Sequence, residues 1–185
     1  IREMDRDPNY HDQPLYVQAA RMIYLNKACF NGLYRVNRSG FFNVPSGKKT
    51  QVNCYNLDNL TNIFNYFSKS KMKILNVDMR EAVKEAKKGD FVYFDPPYDI
   101  WEEKDSFTSY SEDAFGKKDQ KRLADLYREL DKRGVYVMLS NHNTKFINEL
   151  YKGFNIRVVN ARRNINSNGT GRGKVEEVII TNYEK

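Results

Sequence analysis

The segment from Phe91 to Tyr98 constrains the fold of this chain more than any other. It reads Phe-Val-Tyr-Phe-Asp-Pro-Pro-Tyr and follows the turn residues Lys-Gly-Asp at 88–90. Four strand-forming residues after a turn signal predict a buried strand. Pro96 and Pro97 end that strand, because proline donates no ladder hydrogen bond and holds φ near one value. We therefore expect a rigid loop with a carboxylate and a phenol at the carboxyl end of a sheet, where open α/β folds bind ligands.

Strand and helix patterns alternate along the chain, which predicts an α/β fold with a mainly parallel sheet and an antiparallel terminal hairpin. Ser39-Gly40 marks the turn of a further hairpin over residues 31–47. Apolar periodicity predicts helices at Pro14–Phe30, Leu57–Phe67, Arg80–Lys87, Lys117–Arg133 and Thr144–Tyr151. Strands are predicted at Ile74–Asp78, Phe91–Phe94, Val135–Ser140, Ile156–Ala161 and Val175–Asn182.

Composition narrows the classes of protein to consider. A chain of 185 residues is long enough for one domain with a proper core and a small appendage. Its net charge of +7 suits an anionic partner such as nucleic acid. Cys29 and Cys54 lie far apart and outside any zinc spacing, so we expect reduced thiols and no metal. No apolar run approaches the length of a membrane span, and no signal peptide is visible, so we expect no membrane and a cytoplasmic location.

Asp95-Pro96-Pro97-Tyr98 after an apolar strand resembles the catalytic motif of amino-group methyltransferases, in particular DNA adenine-N6 methyltransferases of the Dam type. Residues 31–45, Asn-Gly-Leu-Tyr-Arg-Val-Asn-Arg-Ser-Gly-Phe-Phe-Asn-Val-Pro, are similar to the DNA-contacting hairpin of that family. The two segments stand in the family's order, and the resemblance covers essentially the whole chain. It implies an S-adenosylmethionine-dependent, Rossmann-like methyltransferase sheet with a small helical and β-hairpin DNA-recognition subdomain. The alternative for the motif alone is a strand that ends in a proline turn.

The resemblance assigns catalysis to Asp95, Pro96, Pro97 and Tyr98. The lone pair of adenine N6 is delocalised into the ring, so the nitrogen is a poor nucleophile. A carboxylate from Asp95 and the carbonyl of Pro96 can accept hydrogen bonds from the amine and stabilise the positive charge that develops on it. Pro97 makes the loop rigid, and the ring of Tyr98 offers a surface on which an adenine that has left the duplex can stack.

By the same resemblance, S-adenosylmethionine is the cofactor, and Asp78, Met79 and Asp95 contact it. An acid at the end of the strand before the catalytic loop holds the adenine of the donor in the family. Met79 stands where relatives often have phenylalanine, so part of that pocket differs here. The alternative for Asp78 is an N-cap of the helix that starts at Arg80.

Double-stranded DNA is the expected partner, with GATC as the target that the resemblance implies. Arginine can read guanine in the major groove, and other polar groups can hold phosphates. A basic, glycine-containing loop near the carboxyl terminus is a further candidate phosphate clamp. The DNA-binding candidates are Tyr34, Arg35, Asn37, Arg38, Pro45, Arg162, Arg163, Arg172 and Lys174. Solvated hairpins that bind nothing are the alternative for both segments, and for His142 a role in the turn and helix cap near Thr144 is favoured over substrate contact.

We expect a target-recognition region over residues 1–70 and the carboxyl-terminal part of a catalytic domain over residues 71–185. The family's glycine-rich donor-binding motif is not found in the sequence, so we expect a sheet that is incomplete on its N-terminal side and a chain that is inactive alone. The predicted enzyme is a monomeric bacterial or phage DNA methyltransferase, of restriction–modification or regulatory role. Two alternatives stay open: a DNA-binding fragment without catalysis, and a methyltransferase for cytosine N4, RNA or a protein amide.

Overall fold

The computed structural model describes residues 1–100, 115–162 and 174–184. The chain divides into two compact units, Ile1–Lys73 and Ile74–Lys185. Each unit has its own cluster of buried apolar side chains.

The first unit contains two α-helices, α1 (Leu15–Ala28) and α2 (Leu57–Lys69). Both were predicted, and α2 begins where the Asn56 side chain accepts a hydrogen bond from the backbone of Asn59. Three short 3-10 helices lie at Met4–Arg6, Tyr10–Asp12 and Phe30–Gly32. The core of this unit is small and consists of Leu25, Cys29, Phe42 and Val44.

The hairpin predicted over residues 31–47 forms with two isolated antiparallel bridges, Cys29 to Ser46 and Val36 to Phe42, and has no continuous strands. Its turn lies at Ser39-Gly40, as predicted. Gly40 has a φ of +79°, a conformation that glycine adopts without a steric penalty. Most residues of this hairpin are exposed, which leaves its side chains open to a partner.

The second unit is built on a four-stranded sheet, β1 (Phe91–Phe94), β2 (Tyr136–His142), β3 (Asn155–Arg162) and β4 (Lys174–Thr181), in the order β1-β2-β4-β3. β1 and β2 are parallel, whereas β4 is antiparallel to both of its neighbours. The antiparallel terminal hairpin is therefore confirmed. The expectation of mainly parallel pairing is wrong, because β4 returns from β3 and inserts between β3 and β2.

One further prediction fails at the start of this unit. Residues 74–78 form no strand, and Ile74 is 79% exposed. Within the described residues no neighbouring strand pairs with this segment, and an apolar run becomes a strand only when a partner satisfies its backbone. The helix expected over residues 80–87 is also shorter than predicted, because α3 spans only Met79–Ala82.

Helices α4 (Lys117–Lys132) and α5 (Lys145–Leu150) supply the helical part of the core. Val92 and Phe94 of β1 pack against this core, together with the buried Val137 and Leu139 of β2. Since side chains alternate along a strand, the residues between them point to the opposite face. That face is open: Tyr93 is 48% exposed on it.

Candidate active site

Asp95 lies directly beyond the last residue of β1, at the carboxyl end of the strand, and is exposed. The parallel register pairs Tyr93 with Met138, and two residues further along it brings Asp95 beside Ser140 of β2. The Ser140 hydroxyl donates a hydrogen bond of 2.8 Å to Oδ1 of Asp95. The sheet therefore holds one carboxylate oxygen of this loop from the neighbouring strand.

A second hydroxyl continues this contact. Tyr93 Oη lies 2.9 Å from Ser140 Oγ, on the same open face of the sheet. Ser140 has one hydroxyl proton and directs it to Asp95, so Tyr93 is the donor in the outer hydrogen bond. Ser140 itself is only 2% exposed. The three groups form a directed chain from Tyr93 through Ser140 to Asp95.

Tyr98 is half-buried beside this carboxylate. Burial raises the pKa of its phenol, and the negative charge of Asp95 raises it further against the opposing effect of a hydrogen bond with Ser140. The phenol is therefore neutral at physiological pH. Its ring lies 5.0 Å from that of His142, at an angle of 84° between the ring planes. Edge-to-face packing of this kind fixes the ring's orientation.

Buried amides fix the backbone of the same loop. Gln120 of α4 donates from Nε2 to the Pro97 carbonyl at 2.8 Å and accepts at Oε1 from Asn141 at 3.2 Å. Asn141 in turn accepts at Oδ1 from the backbone N–H of Asp99 at 2.9 Å. Gln120 and Asn141 are 1% and 0% exposed. Helix α4 and strand β2 thus hold the loop from two sides.

Asp99 receives two more contacts from the end of β2. The Thr144 hydroxyl donates to its carboxylate at 2.6 Å, and Nδ1 of His142 lies 2.5 Å from its carbonyl oxygen. Thr144 also accepts from the backbone N–H of Ile147 and so caps α5. The expectation of a turn and cap role at this strand end is confirmed.

Asp78 has the cap role that the sequence left open. Its side chain accepts from the backbone N–H of Arg80 at 3.0 Å and forms an ion pair with Arg122 of α4. The hydrogen bond from Arg122, followed by that from the backbone of Arg80, lowers the pKa of Asp78, so the group is ionised at neutral pH. Met79 packs against the core of this unit. Contact of either residue with a cofactor stays a prediction.

The candidate DNA-binding residues of the first unit differ in their surroundings. Arg35 donates from Nε to Oδ1 of Asn43 at 2.8 Å, and Arg38 is exposed. Asn37 accepts the backbone N–H groups of residues 39 and 41 and so builds the turn. Tyr34 is 64% exposed.

Pro45 is exposed, and its carbonyl accepts a hydrogen bond from the backbone N–H of Phe30.

In the second unit, Arg162 and Lys174 are paired at the end of the β3–β4 hairpin, where only their backbone is described. This end lies at the same edge of the sheet as Asp95, because β3 runs in the same direction as β1. Arg163 and Arg172 lie outside the described residues.

A groove of about 800 Å³ lies on the open face of the sheet and adjoins this cluster, because Met138 pairs with Tyr93 and Ile179 pairs with Ser140. Its lining includes Met138, Asn155, Ile179 and Thr181. Asn155 begins β3, so the groove reaches the amino-terminal end of that strand, whereas Asp95 lies at the carboxyl end of β1. In the described ranges, no group of three or more metal-binding side chains is close enough to hold an ion, and no described helix is long and apolar enough to cross a membrane.

Comparison with known protein families shows to which family the chain belongs. Residues 2–165 match the model of the D12 class N6 adenine-specific DNA methyltransferases. The chain belongs to this family. Like the motif resemblance in the sequence, the match spans both the hairpin of the first unit and the loop that carries Asp95.

Three proteins that are similar to this D12 class chain are named as Type II methyltransferases or as a DNA adenine methylase. The Type II methyltransferase M1.LlaDCHI of Lactococcus lactis subsp. cremoris is 43% identical over 99% of the chain and 64% of its own length. The Type II methyltransferase M.MjaIII of Methanocaldococcus jannaschii is 43% identical over 97% of the chain and 62% of its own length. A DNA adenine methylase of Vibrio cholerae is 35% identical over 92% of the chain and 61% of its own length. The chain thus spans less than two thirds of these relatives.

Sequence reasoning on this D12 class chain missed the groups that surround the motif. Ser140, Tyr93 and Gln120 carry no motif of their own, and none of these residue types marks a functional site by itself. A parallel register between the two predicted strands would have placed Ser140 beside Asp95. The contact of Gln120 with Pro97 depends on the position of α4 over the sheet, which the sequence alone does not show.

Proposed function

We propose that this chain forms the DNA-recognition region and the carboxyl-terminal catalytic part of a monomeric enzyme that methylates adenine N6 in duplex DNA at GATC. Residues 1–70 are the recognition region, a small helical and β-hairpin subdomain, and residues 71–185 belong to a Rossmann-like methyltransferase sheet. S-adenosylmethionine is the proposed donor, and the cytoplasm of a bacterium or of a phage-infected cell is the proposed location. Names of relatives that include Type II methyltransferases support a place in a restriction–modification system.

The observation that carries this proposal is the arrangement around Asp95. An exposed carboxylate stands at the carboxyl end of β1, held by Ser140 and flanked by the phenol of Tyr98. Hydrogen bonds from Gln120 to the Pro97 carbonyl and from the Asp99 N–H to Asn141 hold the backbone of this loop. Such preorganised acceptors stabilise charge that appears in the transition state without having to reorganise.

The residues act on the amine in three ways. Asp95 and the carbonyl of Pro96 accept the two N6 hydrogens, which draws the nitrogen lone pair out of the ring. As the N–CH3 bond forms and the methyl–sulfur bond breaks, positive charge grows on nitrogen and Asp95 stabilises it. The methylated nitrogen then loses one proton to water, so no strong general base is needed. Tyr98 supplies the surface against which the base stacks outside the duplex.

The residues present fit a cationic donor. When bound, S-adenosylmethionine supplies the methyl group from a positively charged sulfonium. Asp78 is ionised and about half exposed, and Asp95 is exposed, so two carboxylates of this unit face solvent. Carboxylates can accept a hydrogen bond from the amine of an adenine ring and attract the sulfonium charge. Asp78 and Asp95 are accordingly the groups that we expect to hold it.

The first unit supports the choice of DNA as the acceptor. Its hairpin exposes Tyr34, Arg38 and Pro45, while Asn43 orients the guanidinium of Arg35 and leaves further N–H donors unused by that pair. Arginines on a hairpin can read base edges or hold phosphates. The overall charge of +7 favours binding of the polyanion.

Transfer of a labelled methyl group tests the proposal. The acceptor is a GATC duplex, with the same duplex methylated at adenine N6 as the control. The chain is assayed alone and joined to the part of the Lactococcus lactis relative that it does not cover. We expect the fusion to methylate the unmodified duplex and not the methylated control, and the chain alone to be inactive. A folded, donor-binding fusion that binds duplex without transfer would instead favour a DNA-binding role, and transfer to RNA or cytosine would favour another acceptor.

A further inference from the structure

We propose that Ser140 and Tyr93 are positioning residues for Asp95, which set the direction in which its carboxylate presents acceptors to the reacting amine. This inference rests on the proposed function. It begins with the directed chain of hydroxyls described above, in which Tyr93 donates to Ser140 at 2.9 Å and Ser140 donates to Asp95 Oδ1 at 2.8 Å.

An exposed aspartate after a strand is normally free to rotate about its side-chain bonds. A single-point anchor on Oδ1 removes most of that freedom, because a hydrogen bond to a carboxylate is stronger than one between neutral groups. The anchor itself is immobile: Ser140 is 2% exposed and sits in the middle of the sheet, between β1 and β4. Asp95 is thus held by a rigid element, although it lies on a loop.

Tyr93 makes the anchor directional. A serine hydroxyl can rotate and donate to any nearby acceptor, and its own oxygen needs a donor when it is buried. The phenol of Tyr93 supplies that donor and occupies one lone pair of Ser140, and the serine proton is directed to Asp95. The register of β1 and β2 builds the chain, because residues 93 and 95 share one face of the sheet with residue 140.

A carboxylate has about four lone-pair sites, so one hydrogen bond at Oδ1 leaves acceptor capacity for an N6 hydrogen. Loss of the anchor leaves the charge in place and only loosens its orientation. Misplacement of a catalytic group by about 1 Å can cost about 100-fold in rate. The expected signature is therefore a fall in kcat with unchanged binding of donor and DNA, since an interaction used only in the transition state affects kcat alone.

The test compares Ser140→Ala, Ser140→Thr and Tyr93→Phe in the fusion that transfers methyl groups, with Asp95→Ala as the reference for a lost carboxylate. We expect Ser140→Ala to lower kcat about 10- to 100-fold, with KM for duplex and Kd for the donor within about twofold. Ser140→Thr keeps the hydroxyl and restores most of the rate. Tyr93→Phe gives a smaller loss than Ser140→Ala, because the serine still reaches Asp95.

Tyr136→Phe is the matched control. Tyr136 lies on the same open face at the other end of β2, and is 51% exposed against 48% for Tyr93. Its change should leave kcat as in the parent, and thermal unfolding should show every variant folded at the assay temperature. A Ser140→Ala enzyme with parental kcat overturns this inference, as does a failure of Ser140→Thr to recover rate in a folded protein. If Asp95→Ala is fully active, or the parent transfers nothing, the proposed function fails instead, and the role of Ser140 falls with it.

Discussion

Gln120 shows how much depends on one residue outside the motif. Its amide joins α4 to the Pro97 carbonyl and to Asn141, and each end of the amide is used. Gln120→Leu keeps a similar volume but removes both partners. We expect the free energy of unfolding of the second unit to fall by about 1–3 kcal/mol, because Asn141 is left buried without its acceptor. Urea unfolding followed by circular dichroism measures the change.

The control for this variant is Gln18→Leu, the same substitution at a half-buried position of α1, where the amide makes two solvent-exposed hydrogen bonds to backbone carbonyls. That change should stay within about 0.5 kcal/mol. Equal effects of the two substitutions would show that the contact with Pro97 stabilises nothing.

Asp78 offers a second test at this scale, since its cap and its proposed cofactor role can be separated. Asparagine caps helices about as well as aspartate. Asp78→Asn therefore keeps the cap on α3 and removes the charge that Arg122 pairs with. We expect donor affinity in the fusion to fall at least about tenfold, with an unchanged melting temperature. Calorimetric titration with S-adenosylhomocysteine measures it, and unchanged affinity would leave Asp78 as a cap alone.

At the scale of elements, the interface between the helices and the sheet contains two buried phenols. Tyr127 of α4 donates to the Val137 carbonyl at 3.1 Å, and its ring lies 5.3 Å from that of Tyr151. Burial raises the pKa of both well above the ordinary 10.0. Below pH 10 both phenols keep their protons in the folded and the unfolded chain, so they add no pH dependence. Above pH 10 only the unfolded chain releases them, so stability falls as pH rises.

We therefore expect unfolding free energy to fall between pH 10 and 11 by up to about 1.4 kcal/mol for each phenol. Tyr127→Phe should lower stability at pH 8 by about 1 kcal/mol through the lost hydrogen bond, and should flatten the alkaline decline. Tyr66→Phe in α2, at a position that is 65% exposed, serves as the control. A Tyr127→Phe protein whose decline is as steep as the parent's would contradict this account.

The elements also show which local signals were sufficient. Helix α4 and strand β1 were predicted almost to the residue, because apolar periodicity and Gly or Pro boundaries act within a few residues. Residues 74–78 carry an equally good strand pattern but remain irregular, since strand formation needs a partner that lies elsewhere in sequence. The place of β4 between β2 and β3 was missed for the same reason.

The residues of the candidate site also fall into those that a local sequence pattern predicts and those that only the fold brings together. Asp95 and Tyr98 belong to a short motif and were found in the sequence. Gln120 and Thr144 come close to that motif through helix packing, which no single sequence displays, whereas the place of Ser140 follows from the parallel pairing of two predicted strands. The candidate motif was therefore visible in the sequence, whereas most of the groups that hold it in position were not.

At the scale of the whole molecule, the net charge of +7 affects the proposed binding of DNA. Each phosphate neutralised by a cation contributes about 0.9 to the slope of log K against log salt. We expect Arg35→Ala with Arg38→Ala to weaken duplex binding, and to lower that slope by about 0.9 for each arginine that contacts a phosphate. If either one reads a base, discrimination against altered GATC sites falls as well. Fluorescence anisotropy at several salt concentrations measures both effects.

The control removes two positive charges elsewhere. Lys84 and Lys132 are exposed on the second unit. They lie near the amino-terminal ends of β1 and β2, whereas Asp95 lies at the carboxyl end of β1. Lys84→Ala with Lys132→Ala should change the slope little, because these side chains are not proposed to contact DNA. Equal losses from the two pairs of substitutions would mean that net charge alone drives binding and that the hairpin recognises nothing.

The placement of the two thiols has a consequence for experiments on the whole molecule. Cys29 is 3% exposed in the core of the first unit and Cys54 is half-buried, while the sequence has no cysteine after residue 54. A chromogenic disulfide reagent should therefore react quickly with Cys54 and with Cys29 only when that small core opens. The rate of the slow phase of colour development therefore measures opening of the first unit, and no thiol of the second unit contributes to it. A lower rate on addition of duplex would report DNA binding by this unit through a residue that is buried in its core.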